Sequence, residues 1–121
     1  MKELLAKLAS QKRLFRALFV VFAVVIEYLA TTSREIPLIA SVWDKANHAL
    51  AFFALYGALA LGFGLRFPLE FALLLAFGAQ IEIVQSFIPN RDFSLLDVVA
   101  DYVGIIAGFL FVKYFRKNLA A

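Results

Sequence analysis

The sequence has no cysteine, three prolines, and a single histidine, tryptophan and methionine. The absence of cysteine excludes disulfides, thiolate chemistry and Cys-type zinc sites. Charge is also sparse: Asp, Glu, Lys and Arg together make up 17% of the chain, leaving a formal net charge of +3. No P-loop, dinucleotide glycine motif, serine elbow or zincin helix is present. The basic residues form no nucleic-acid-binding module, so no nucleic acid is expected as a partner. Nor does an internal repeat, a low-complexity tract or a long linker divide the chain, and residues 1–121 read as one domain.

What the chain has in excess is apolar surface. Hydrophobic residues make up 64%, fourteen of them phenylalanine, and the mean hydropathy is +0.86. A soluble domain is usually nearer half apolar, and a chain of this size cannot enclose so much apolar surface in its own core. The bilayer is the expected solvent. Pro37, Pro68 and Pro89 punctuate the apolar runs. Between them lie four spans, roughly Leu14–Thr31, Ala46–Phe67, Leu69–Ile88 and Leu95–Phe115. Each is close to the roughly 20 residues that a helix needs to cross a bilayer core. The runs are too long and too little alternating for strands, and only helices satisfy their own backbone groups in lipid. The expected fold is an all-α membrane protein: four transmembrane helices in a small bundle, both termini cytoplasmic.

The connections agree with this division. Arg66-Phe67-Pro68 makes a tight hairpin, with Pro68 in a first helical turn and Glu70 beside the positive helix end. Pro89-Asn90-Arg91-Asp92 is a turn sequence, and Ser94 is suited to cap the fourth helix. Thr32–Lys45 reads as an interfacial loop anchored by Trp43. Residues 1–13 set Leu4, Leu5 and Leu8 against Lys2, Lys7 and Lys12, the pattern of a basic amphipathic helix lying on anionic lipid. Glu27 interrupts the first apolar run and no A-x-A site follows, so this run reads as a span rather than a cleaved signal. Lys2, Lys7, Lys12, Arg13, Arg16, Arg66, Lys113, Arg116 and Lys117 fall on one side, against Arg34, Lys45 and Arg91 on the other. The positive-inside rule makes the richer side cytoplasmic, in the cell (inner) membrane.

On this topology Glu3 and Glu70 are cytoplasmic, while Glu27, Glu35, Asp44, Glu82, Asp92, Asp97 and Asp101 all fall in the outer half. The inner half then offers almost nothing polar. At about 1.5 Å per residue, Asp101 and Glu82 lie roughly 9 Å below the outer helix ends. Spacing assigns faces: Asp44 and His48 are four apart, as are Asp97 and Asp101, and Glu82 and Gln85 are three apart. A charge facing mid-bilayer lipid costs about 3 kcal/mol on insertion scales, so these stripes should turn inward onto one polar pocket open to the extracytoplasmic surface. Clustered carboxylates repel. Arg91, Lys45 or Arg34 as counter-ions, protonation, or a bound cation would each relieve that.

Two blocks carry a resemblance. DKANHALAFFALYGAL, from Asp44, resembles the Asp-Lys-x-x-His block of the VanZ-like membrane proteins. EIVQSFIPNRDFSLLDVVADYVGIIAG resembles that family's later block through Glu82, Gln85, Pro89, Arg91, Ser94, Asp97, Gly104 and Gly108. Where the family usually carries Asn, this chain has Asp101 and one more negative charge. The resemblance implies a small four-helix envelope protein associated with resistance to the glycopeptide teicoplanin.

The candidate pocket therefore comprises Asp44, Lys45, His48, Glu82, Gln85, Arg91, Ser94, Asp97 and Asp101. His48, Glu82 and Asp97 are the candidates for acid–base work, and with Asp101 for holding a divalent cation. Each residue has a plainer alternative. Asp44-Lys45 also suits a solvated helix start, His48 a simple hydrogen-bonded position, and Glu82 with Arg91 a buried locking pair. Asp97 suits a charge on the helix dipole, and Glu27 an interfacial residue. Gly104 and Gly108 read as a close-packing face. Three functions compete: an outer pocket for a lipid-linked or cell-wall-related ligand or a glycopeptide, a metal-assisted intramembrane hydrolase or transferase, and proton or cation transport. Membrane lipids are expected partners of all three.

Overall fold

The computed structural model describes residues 2–31, 38–88 and 95–120, the side chains of 38–44 and of 120 excepted. They form five helices: α1 (Lys2–Ala9), α2 (Lys12–Thr31), α3 (Leu38–Phe63), α4 (Phe67–Gln85) and α5 (Leu95–Ala120). The last four are each long and apolar enough to cross a membrane. α2 has 20 residues, which at about 1.5 Å per residue spans the roughly 30 Å of a hydrocarbon core. It has no buried residue at all, and Val20, Val21, Val24 and Val25 lie exposed along it. In water such a surface would drive association. In lipid it is ordinary, and the chain has the character of a multi-pass membrane protein.

The four long helices alternate in direction. Arg16, near the start of α2, donates from Nε to the Gly62 carbonyl at the end of α3, at 2.7 Å. Arg116, near the end of α5, donates to the neighbouring Ala60 carbonyl at 2.9 Å. At the opposite end the Gln85 amide of α4 donates to the Ala30 carbonyl of α2 at 2.7 Å. α3 is the hub, packed most extensively on α5 and then on α2, while α4 lies mainly against α5. Phe52, Leu55, Leu59, Leu74, Ile81 and Ile105 form the centre of the core.

Two glycines let the hub pack closely. A Cβ at Gly104 would collide with the Ala49 carbonyl oxygen, and one at Gly108 would meet Tyr56 Cβ at 3.1 Å. α5 therefore lies almost backbone to backbone on α3. Gly64 closes α3 with φ 62°, a left-handed conformation that glycine adopts at a helix end without a steric penalty. Arg66 follows in extended backbone, and Pro68 lies in the first turn of α4, where its missing N–H leaves no bond unmade.

One boundary differs from the sequence reading. α3 begins at Leu38, so most of the stretch assigned to an interfacial loop is helical. Leu-Ile-Ala-Ser-Val-Trp-Asp-Lys-Ala-Asn contains neither glycine nor proline, and its mixed polarity concealed a helix that extends beyond the apolar core. α5 likewise continues past Phe115 to Ala120. The turn from Pro89 to Ser94, with the expected cap at Ser94, lies outside the described residues, as do Arg34 and the side chains of Trp43 and Asp44.

Candidate functional site: a histidine–carboxylate chamber

The polar stripes converge at the end of the bundle formed by the start of α3, the end of α4 and the start of α5. α5 contributes Asp97 and Asp101, which are 5% and 1% exposed, and α4 contributes Glu82 and Gln85, at 0% and 1%. α3 contributes His48 and Lys45. The four-residue spacing puts both aspartates on the α5 face that meets α3, so one histidine ring bridges both. His48 Nδ1 stands 2.8 Å from Asp101 Oδ1, and His48 Nε2 stands 3.8 Å from Asp97 Oδ2. Lys45 Nζ lies 3.5 Å from Asp97 Oδ1 and is itself 37% exposed, marking the rim of the chamber.

Asp101 sits there because α4 leaves space for it. A Cβ at Gly78 would come within 2.6 Å of Asp101 Oδ2 and 3.4 Å of Phe52 Cζ. The carboxylate thus lies over a bare patch of α4 backbone, at the boundary between the chamber and the apolar core.

The contact to Asp101 orients the ring. In the tautomer that carries its proton on Nδ1, this nitrogen donates to the carboxylate and the imidazole presents its lone pair at Nε2. One donor atom each from His48, Glu82 and Asp97 lie within 4.8 Å of one another. Donors held about 2.1 Å from one ion stand roughly 3–3.5 Å apart, so closing on a cation requires a movement of about an ångström or less for each. One imidazole nitrogen with carboxylate oxygens suits a borderline to hard divalent ion such as zinc or manganese. Two ionised carboxylates with oxygens within 4.8 Å of each other repel by about 3 kcal/mol or more at an effective dielectric of 20. Lys45, at the rim and 3.5 Å from Asp97, recovers only about 1 kcal/mol, because its end of the pair is screened by solvent.

Of the residues singled out in the sequence, Lys45, His48, Glu82, Asp97 and Asp101 meet in this chamber. Gln85 is buried in the same end of α4 but directs its amide to α2. Asp101 faces the other ring nitrogen of His48, at 2.8 Å, and lies outside the group of three whose donor atoms approach one another. Asp44 lies in α3, and its side chain, like Arg91 and Ser94, is outside the described residues. Glu27 has a specific partner rather than only an interfacial place: Gln80 on α4 donates to its Oε1 at 2.7 Å.

Sequence reasoning missed three features. Gly78 gave no signal, because its role depends on a side chain of another helix. Gln80 was overlooked as a lone amide in an apolar run. The third corrects the expectation that the half of the bundle away from the chamber offers almost nothing polar: Glu70 is 2% exposed and accepts a hydrogen bond from the Tyr56 hydroxyl at 2.9 Å. A glutamate just after a helix-starting proline reads as a dipole complement, which concealed its burial. Comparison with protein-family models, with curated proteins and with solved structures finds no match.

Proposed function

We propose that this chain is a VanZ-like protein of the cell envelope, embedded in the cytoplasmic membrane with both termini cytoplasmic. Its chamber opens at the extracytoplasmic surface, binds a divalent cation, and through it engages the anionic part of a lipid-linked, cell-wall-related ligand. The observation that carries the reading is the geometry at His48: one ring nitrogen held by a buried Asp101, the other turned toward Asp97, with Glu82 completing the donor set. Metal-ligating histidines have this arrangement, their second nitrogen donating to a carboxylate. The charge distribution supports the orientation, since the chamber end opposes the end that gathers Arg16, Arg66, Lys113, Arg116 and Lys117. The two resembling sequence blocks support the family.

The test is a titration of metal-free purified protein with zinc and with manganese. Wild type should take up one ion per chain, His48→Ala and Glu82→Gln should lose that binding, and Glu82→Ala should abolish any teicoplanin tolerance that the wild type confers. A folded wild type that takes up neither ion refutes the reading.

A second reading, metal-assisted hydrolysis or group transfer on the same ligand, rests on the Asp101–His48 contact, which also equips a histidine for general-base work. Turnover of a lipid-linked diphosphate by the metal-loaded protein separates it from simple binding. Transport of protons or cations finds less support. Phe52, Leu55 and Ile105, all 0% exposed, lie between the chamber and the opposite end.

A further inference from the structure

The Glu70–Tyr56 pair lies outside the chamber, at the end of the bundle that carries α1, and its chemistry is unlike that of the chamber. Glu70 enters the bundle in the first turn of α4, directly after Pro68. Its Oε1 accepts the Tyr56 hydroxyl. Its Oε2 is buried without a hydrogen-bond partner, and among the described residues no cation pairs with Glu70. Around Tyr56 stand the rings of Phe67 and Phe109, at 6.2 and 6.4 Å between centroids. Among the described residues, the groups that face Glu70 are Tyr56 from α3 and, through its charge, Arg116 from α5. Arg116 directs a guanidinium N–H at the Ala60 carbonyl instead.

An ionised carboxylate only accepts hydrogen bonds, and it needs donors on both oxygens when water is excluded. One oxygen here has a donor and the other has none. A carboxyl that carries a proton on Oε2 loses its net charge, and the Tyr56 bond to Oε1 is kept in both forms. We propose that Glu70 is a proton-binding site, with the Tyr56 hydroxyl as its positioning donor. In the loading step Oε2 forms an O–H bond with a proton from hydronium, which leaves as water. The apolar layer of Phe52, Leu55 and Ile105 insulates the site from the chamber, so the two sites load independently.

Infrared difference spectroscopy of the full-length protein in lipid nanodiscs tests this. Wild type minus Glu70→Gln at neutral pH should show one carboxylic-acid carbonyl band, and Tyr56→Phe should move that band to higher frequency by removing its hydrogen bond. A difference spectrum with the paired carboxylate stretches in place of the carbonyl band overturns the proposal. Should Glu70→Gln not fold, Tyr56→Phe decides alone: a carbonyl band that does not move overturns it. Glu70→Gln should bind zinc as wild type does, and a loss of more than tenfold would refute the independence of the two sites.

Discussion

The two ends of the bundle solve the same problem in opposite ways. At the chamber end, carboxylates from α4 and α5 are brought within reach of one histidine, with a lysine at the rim. At the other end a lone carboxylate is placed among aromatic rings with a single phenol as partner, while two arginines are tied to α3 carbonyls. The first arrangement concentrates charge and suits an ion that carries more than one charge of its own. The second isolates a charge and suits the smallest neutralising particle. Composition alone does not set this contrast, since glutamate appears at both ends. The difference lies in what each neighbouring helix presents at that level.

The comparison can be broken most severely at the glycines. Gly104→Ala places a methyl group against the Ala49 carbonyl in the chamber half, and Gly62→Ala places one 2.9 Å from the Arg16 backbone nitrogen in the other half. Overpacking of this kind costs about 1–3 kcal/mol and at times more. The loss should be larger for Gly104→Ala, where the contact is tighter, as read by unfolding in detergent micelles. Next in size is the ligand set. His48→Ala should abolish zinc binding, and Asp101→Asn should weaken it by about 10–100-fold, the usual effect of disturbing the residue that orients a ligand. Calorimetric titration checks both. Tyr56→Phe acts only at the far end. It should lower stability by about 1–2 kcal/mol, the effect of depriving a buried acceptor of its donor, and leave zinc affinity unchanged. Lys45→Ala should be the mildest, about 1 kcal/mol and smaller in high salt, because the lysine stands 3.5 Å from Asp97 at the exposed rim, where water and salt screen its charge.

Much of the chamber was legible in one dimension, because helical periodicity is a strict ruler. Asp97 and Asp101 could share a face only if the run was helical, and the cost of charge in lipid turned that face inward; the same rule paired Gln85 with Glu82, but the Gln85 amide reaches α2 instead. The helix count followed from the length of the apolar runs. The start of α3 was not legible, since a helix that emerges from the core carries mixed residues and loses its periodic signature. Glu70 was misjudged because the same residue at the same place satisfies two physical demands, the helix dipole and a buried hydrogen bond, and only the position of Tyr56 on another helix distinguishes them. That Asp101 and Asp97 face different nitrogens of one ring depends on the rotamer of His48, which spacing along a helix does not give.

Gly78 ties the fate of two helices together. Because the carboxyl of Asp101 occupies the space where any larger residue at 78 would put its first carbon, α4 and α5 form a matched set. A chimera that takes either helix from a differently built protein must restore both halves of this fit, or the aspartate will be evicted and the imidazole will lose the partner that fixes its orientation.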